Sequence, residues 1–222
     1  MKITATPTLL LMLFPLLVQA MDVQVAASST YRVYSLARDG SVHTGSGVQT
    51  GANRVLTNCH VIADTREVVV EYAPNGKKYK ASGVSTDQGR DTCVLEVPGA
   101  PGKTITQARF VSRGDIVHVL GYPQSSRLVA STGTVLEPEF KLNQDIAIHT
   151  SNYCAPGASG GPLLNDAGEL AGLIFAGNTR DHTCLAIPAY YLKRAQSGSF
   201  APFSTGAPVV SKGSVYHDHW RN

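Results

Sequence analysis

Turn-forming clusters punctuate this chain at short intervals and leave little room between them for helices. They include Asp39-Gly40, Gly51-Ala52-Asn53, Pro74-Asn75-Gly76, Pro98-Gly99, Arg113-Gly114-Asp115, Asp166-Ala167-Gly168 and Gly177-Asn178. Between them lie short β-type runs at residues 31–36, 67–72, 92–97, 116–120, 145–150 and 172–175. Many short strands without intervening helix-length patterns predict an all-β fold, a barrel or a sandwich. The one helical stretch predicted is 188–196, where Tyr191, Leu192 and Ala195 recur at helical spacing. Lys193 and Arg194 fall toward its end, where the helix dipole favours cations.

The two ends of the chain read differently from its middle. In residues 1–20 the only charge is Lys2, followed by an apolar run over 9–18 interrupted by Pro15, then Val18-Gln19-Ala20. A charged start, a short apolar core and a small-residue exit predict a secretory signal cleaved after Ala20. The core is about half the ~20 apolar residues that a spanning helix needs, so no membrane anchor is expected after cleavage. From Ser197 to Asn222 the composition shifts to Ser, Gly, Pro, Thr and Ala, which predicts a loose tail. What remains between is enough for one large all-β domain or two small ones.

Charge and cysteine usage exclude some functions. The formal net charge is +3 and the basic residues are scattered, so nothing suggests a nucleic-acid footprint. The four cysteines, Cys59, Cys93, Cys154 and Cys184, follow an export signal, which favours two disulfides. Sequence alone leaves all three pairings open.

Three segments carry candidate chemistry. Val55-Leu56-Thr57-Asn58-Cys59-His60 is a strand-like run that delivers a histidine at its end. Gly89-Arg90-Asp91-Thr92-Cys93-Val94-Leu95 opens an apolar strand with an aspartate. Pro156-Gly157-Ala158-Ser159-Gly160-Gly161-Pro162-Leu163 sets a serine among glycines. A serine hydroxyl is a poor nucleophile unless a neighbouring base takes its proton and a third group orients that base. An anionic intermediate also needs backbone N–H donors near the serine, and glycines let the backbone turn and approach there. Ser159 is therefore the expected nucleophile, with the N–H groups of Gly157 and Ser159 as oxyanion donors.

The order His60, Asp91, Ser159 with these local patterns resembles the chymotrypsin-fold proteases, in particular the bacterial Do-like (HtrA) protease domain. Thr44-Gly45-Ser46-Gly47-Val48 is similar to that family's first-barrel glycine strand, and Leu56-Thr57-Asn58-Cys59-His60-Val61 to its histidine motif. Asp87 and the segment from Asp91 to Val97 resemble its aspartate region. Gly157 to Leu163, Gly168-Glu169-Leu170-Ala171-Gly172-Leu173 and Leu185-Ala186-Ile187-Pro188 resemble its second-barrel core. The resemblance implies two six-stranded antiparallel β-barrels, here residues 21–110 and 111–196 with a short C-terminal helix, and an active site in the cleft between them. It implies His60 as general base and acid, Asp91 as its orienting group and Ser159 as the residue acylated by a polypeptide substrate. Unfolded proteins are candidate substrates, no cofactor or metal is implied, and the oligomeric state is left open. The resemblance also implies the pairings Cys59–Cys93, beside the base, and Cys154–Cys184, bracketing the specificity pocket.

Two departures from the family shape the expectations further. Ala158 stands where digestive members carry the aspartate that pairs with a cleaved N-terminus, so zymogen-type activation is not expected. No PDZ module follows the protease-like segment in this sequence, so regulation by an attached peptide-binding domain is not expected. The substrate pocket is expected from Asn152 and Tyr153 on one wall and Leu173, Ile174 and Phe175 on the other. Neither wall holds an acidic residue, which predicts small or medium aliphatic residues rather than Lys or Arg before the scissile bond.

Other readings of the same residues are weaker. Gly157, Ser159 and Gly161 also spell the elbow of an α/β-hydrolase, but that fold needs parallel βαβ units and the order Ser, Asp, His. Cys59, His60 and Cys93 lack paired metal-ligand spacing. His217-Asp218-His219-Trp220 reads as a solvated tail, and His43, His118, His149 and His182 as surface or satisfied histidines. Asp87 reads as a solvated turn residue. A protease-fold peptide-binding or chaperone-like module with little turnover is the alternative of another class.

Overall fold

Burial alternates along the strands with the period of two that a half-buried sheet demands. In β1 (Thr30–Ala37), Tyr31, Val33, Ser35 and Ala37 are buried while Arg32, Tyr34 and Leu36 are partly exposed. The computed structural model describes residues 21–203 except 109, 126, 143 and 144. The expected secretory signal and residues 204–222, with the histidines at 217 and 219, lie outside the described residues.

The first unit opens with a short helix, α1 (Val23–Ala27), which the sequence reading did not anticipate. It owes its start to Asp22, whose carboxylate accepts the Gln24 N–H at 2.8 Å. After β1 follow β2 (Val42–Gly51), β3 (Arg54–Asn58), β4 (Thr65–Tyr72), β5 (Lys78–Lys80), β6 (Gly83–Asp87) and β7 (Thr92–Glu96). The second unit comprises β8 (Ile116–Gly121), β9 (Val129–Leu142), β10 (Asp145–Thr150), β11 (Pro162–Asn165), β12 (Leu170–Asn178) and β13 (Thr183–Pro188). The expected helix at 188–196 is split into a 3-10 turn, Ala189–Tyr191, and α2 (Lys193–Ser197). The last strand, β14 (Ala201–Pro202), pairs with β6, so ordered chain continues past the boundary expected at 196.

Among the described residues, all pairings between these strands are antiparallel, and an isolated bridge between Gln107 and Leu170 is parallel. The second unit closes as a six-stranded barrel in the order β10-β13-β12-β11-β8-β9. The first is an eight-stranded curled sheet, β14-β6-β7-β3-β2-β1-β4-β5, rather than a second closed barrel. Its seam lies between β5 and β6, which are joined only by Ala81 and Ser82. The Ala81 N–H donates to Val68 of β4 at 3.0 Å, and the next N–H, of Ser82, donates to Glu96 of β7 at 2.8 Å. One bent strand therefore passes from the β5 edge of the sheet to β6, next to the last strand β14, and chain continuity spans the seam where no ladder forms.

Each unit has its own core, and a third core joins them. Tyr31, Val33, Val55, Ile62, Val70 and Leu95 fill the first unit. Val117, Val119, Val135, Ile148, Leu163 and Ile174 fill the second barrel. Val48, Leu56 and Val94 of the first unit pack in one cluster with Leu120, Leu173 and Phe175 of the second. The connecting segment joins the second unit early: the Leu170 N–H donates to Thr106 at 2.7 Å and the Ala108 N–H to Leu170 at 2.9 Å. No helix among the described residues is long and apolar enough to cross a membrane.

Candidate active site

Register brings the imidazole and the carboxylate together. β3 pairs with β7 so that Thr57 faces Cys93 and Asn58 faces Thr92. The chain leaves β3 in a 3-10 turn, Cys59–Ile62, and enters β7 directly from Asp91. Asn58 Nδ2 and the Cys59 N–H both donate to the Asp91 carbonyl, at 3.0 and 3.2 Å. Asp91 sits in the left-handed region at φ 52°, a conformation that Asp tolerates better than most residues. That backbone turns its carboxylate back toward His60. Oδ1 accepts the His60 N–H at 2.9 Å and Oδ2 meets Nδ1 at 2.6 Å, with Asp91 only 1% exposed. A carboxylate only accepts, so this contact favours the tautomer in which Nδ1 is the donor and Nε2 the acceptor. A disulfide between Cys59 and Cys93 (Cα–Cα 5.0 Å) staples the two segments beside this pair.

Ser159 is placed by turns. The Ala158 N–H donates to the Ala155 carbonyl at 2.9 Å, closing a turn around Pro156 and Gly157. Gly157 has φ +99°, the value that puts glycine at the third position of a type II turn, and a Cβ there would press into the Tyr122 carbonyl. The Gly161 N–H donates to Ala158 at 2.9 Å, closing a second turn around Ser159 and Gly160. Ser159 itself is 5% exposed, and its hydroxyl donates to the Phe175 carbonyl at 3.4 Å. The N–H groups of Gly157 and Ser159 have no acceptor among the described residues. The second disulfide, Cys154–Cys184 (Cα–Cα 5.6 Å), ties the start of this segment to β13.

The two halves of the site share one cleft of about 240 Å³, lined by His43, Thr44, His60, Val61, Pro156, Gly157 and Ser159. A hydroxyl, an oriented imidazole and two unpaired backbone donors around one cavity can support base-assisted attack on a carbonyl and hold the resulting oxyanion.

None of the five expected pocket residues lines that cleft. Asn152 is fully buried, with Nδ2 donating to Ser131 at 2.7 Å and to Val117 at 3.2 Å. Leu173 and Phe175 are sealed in the inter-unit core and Ile174 in the barrel core. Tyr153 is half-buried and stands edge-on to His182, 5.4 Å between ring centres. The reason is that β12 is buried on both faces from Leu170 to Ala176, so its alternating side chains all enter cores. Phe175 reaches the nucleophile through its backbone carbonyl instead of its ring.

Several site residues escaped the sequence reading. His43, read as a surface or satisfied histidine, is exposed in keeping with that reading and in addition lines the cleft, with Nε2 3.3 Å from Ser41 Oγ. Asp87, read as a solvated turn, is only 7% exposed. Arg90 pairs with Asp145 at 2.8 Å across the two units and stacks on Tyr191, 3.4 Å from the ring centre. Ser46 touches the Ser159 segment at several points. The available clue was its flanking glycines: a Cβ at Gly45 would crowd Val61 and lie 3.1 Å from the Ser159 carbonyl.

A curled sheet and a closed β-barrel meeting at a cleft that holds Ser159 and the His60–Asp91 pair define a chymotrypsin-like serine-protease fold. The trypsin-like peptidase domain model matches residues 45–173, more than half of the chain, and the chain belongs to that family. The serine protease Rv3671c of Mycobacterium tuberculosis is 31% identical over 212 residues, covering 88% of this chain and 52% of that protein. The serine endoprotease DegS of Salmonella typhimurium is 29% identical over 169 residues, 68% of this chain and 46% of DegS. The crystal structure of the active form of the Rv3671c protease superposes with a TM-score of 0.73 at 25% identity, covering 97% of this chain and 98% of that one. The serine endoprotease of Yersinia pestis gives 0.70 at 27% identity, over 78% and 63% of the two chains. The chain spans about half the length of the first of these curated relatives.

Proposed function

We propose that this chain is an exported serine endopeptidase that cleaves polypeptides through an acyl-enzyme on Ser159. The observation that carries the reading is the Asp91 carboxylate with both oxygens on His60, at 2.9 and 2.6 Å, beside the cleft that holds Ser159. In this scheme His60 Nε2 takes the Ser159 proton as Oγ attacks the scissile carbonyl carbon. The N–H groups of Gly157 and Ser159 hold the tetrahedral oxyanion. His60 then gives the proton to the leaving amine, and water repeats the sequence to release the acid. General base catalysis contributes about 10²–10⁴-fold, and each oxyanion donor about 10²–10³-fold.

Polypeptide substrates are in keeping with relatives named serine proteases and endoproteases. The cleft lining contains no acidic side chain, which supports cleavage after uncharged residues rather than after Lys or Arg. Two disulfides and the leader-like first twenty residues support an oxidising, exported location.

The test is covalent. A fluorophosphonate probe should label the oxidised protein at Ser159, and both Ser159→Ala and His60→Ala should abolish the adduct. An intact, oxidised protein that takes no label would overturn the endopeptidase reading and leave a peptide-binding module. Sequenced products of a denatured protein test the pocket: cuts mainly after Lys or Arg would contradict the preference.

A further inference from the structure

The proposed chemistry depends on two backbone N–H groups pointing into the cleft, and a glycine turn does not fix its own peptide planes. Glycine has no Cβ to narrow its φ and ψ, so the orientation of the planes around Gly157 must come from their hydrogen-bond partners. Each peptide unit is planar and trans, so its C=O and its N–H point to opposite sides. The carbonyl of Pro156 accepts the Gln124 N–H at 2.6 Å, which turns the Gly157 N–H the other way. The following carbonyl, that of Gly157, accepts from the Ser46 hydroxyl at 2.8 Å.

Ser46 belongs to the first unit and is fully buried. Its hydroxyl oxygen also accepts the Tyr122 N–H at 3.0 Å, and its own N–H donates to the Ser159 carbonyl at 2.7 Å. On the other side its carbonyl accepts the Thr57 hydroxyl at 2.7 Å, which anchors it to β3. Three of these four bonds cross to the second unit, and two grip carbonyls on either side of Ala158. The close approach requires glycines. A Cβ on Gly160 would collide with the Ser46 carbonyl and the Thr57 hydroxyl, and one on Gly121 would lie 3.0 Å from Ser46 Oγ.

We infer that Ser46 is a positioning residue for the proposed peptidase reaction: by holding the Gly157 and Ser159 carbonyls it fixes the two peptide planes that flank the one carrying the Ser159 N–H, and so sets the turn in which the oxyanion donors lie, while the same sheet carries His60. The inference rests on the reading of Ser159 as nucleophile. It assigns Ser46 no contact with substrate: it acts through the turn. Loss of its hydroxyl leaves the buried Tyr122 N–H and the Gly157 carbonyl without this partner, and the Gly157–Ala158 plane loses the bond that holds it from the first unit.

The experiment compares wild type, Ser46→Ala and Ser46→Thr in the oxidised protein. Ser46→Ala should lower kcat on a peptide amide roughly 10–100-fold, below the loss for deleting a donor outright, with KM within about three-fold. Affinity for a peptide aldehyde, whose hemiacetal oxygen needs the same donors, should fall in parallel with kcat, while the acid limb of the pH–rate profile stays in place. Ser46→Thr, which keeps the hydroxyl, should recover most of the rate. A kcat equal to wild type, a loss confined to KM, or equal impairment of both variants would overturn the role. If Ser46→Ala does not fold, Thr57→Val carries the test by freeing the Ser46 carbonyl, and an unchanged kcat there overturns the proposal. Fluorophosphonate labelling separates the two claims. No label on wild type sinks the endopeptidase reading and this role together, whereas equal labelling rates of wild type and Ser46→Ala sink only the role of Ser46.

Discussion

The first unit and the second place their reactive groups by different means. His60 and Asp91 lie just past the end of one β ladder, joined by direct hydrogen bonds and flanked by the Cys59–Cys93 disulfide. Ser159 sits on a pair of glycine turns, two of whose carbonyls, those of Gly157 and Ser159, are held by the other unit through Ser46. The imidazole–carboxylate pair is thus joined within one unit, while the nucleophile's turn takes part of its support from the other. The contrast predicts that damage inside the first unit acts on proton transfer, and damage at the contact between units acts on oxyanion binding.

The sharpest break of the imidazole–carboxylate pair is Asp91→Asn. The amide keeps the shape but can present an N–H to His60, which disfavours the tautomer with the lone pair on Nε2. The turnover of a peptide substrate should fall on the order of 10⁴-fold with an unfolding midpoint close to wild type. Retention of a tenth of wild-type turnover would show that the pair does not set the tautomer.

Gly160→Ala attacks the turn held in part from the other unit. Its φ is +82° and the added methyl meets Ser46 and Thr57 across the boundary, so strain and collision add. Stability should drop by about 3 kcal/mol, read from denaturant midpoints, together with loss of fluorophosphonate labelling. A neutral outcome would mean that the units can slide apart without cost to the site.

The two disulfides give a matched comparison. Their sequence separations, 34 and 30, are so alike that chain entropy predicts nearly equal stabilisation, about 3–4 kcal/mol each. Replacing each pair by serines should cost similar stability but unequal activity at low temperature. Loss of Cys154–Cys184 should reduce turnover more, because it frees the start of the Ser159 segment, part of whose support comes from the other unit, whereas His60 and Asp91 are bonded directly to each other. Equal residual activity would erase the distinction drawn between the units.

The smallest effect concerns His149, stacked on Phe140 at 5.1 Å between ring centres. Burial lowers its pKa below the ordinary value, an effect that Glu137 partly opposes. The unfolded chain therefore takes up the proton first, and stability falls as pH drops below about 6.5. His149→Gln should flatten the fall in melting temperature between pH 7 and pH 5 by a few degrees at most; an unchanged slope would assign the acid sensitivity elsewhere.

What could be read in the sequence was what lies in contiguous segments. The all-β class followed from turn spacing, and the His60, Asp91 and Ser159 segments each carry their own local pattern. What escaped is non-local or backbone-borne. The Ser46–Gly157 bond joins residues 111 apart in sequence, and the Tyr122 and Gln124 contributions are backbone N–H groups that no side-chain pattern announces. Which residues of β12 meet the cleft was not legible, because a strand buried on both faces has no polar alternation to show it. Ala201 and Pro202 looked like tail because a two-residue strand on a sheet edge needs no apolar pattern at all.

The bent strand at Ala81 and Ser82 has a topological consequence. The eight-stranded sheet behaves as a ring fastened at one covalent point, so that point and the ordinary turns differ in what a cut would do. New chain ends placed at the exposed turn of Asn75 and Gly76 would leave the ring fastened, with only the short β4–β5 hairpin loop opened. New ends between Ala81 and Ser82 would remove the covalent link across the seam, on the unit that carries the base. A circular permutation series across residues 74–84 would therefore map where the first unit is held by its sheet and where it is held by the chain alone.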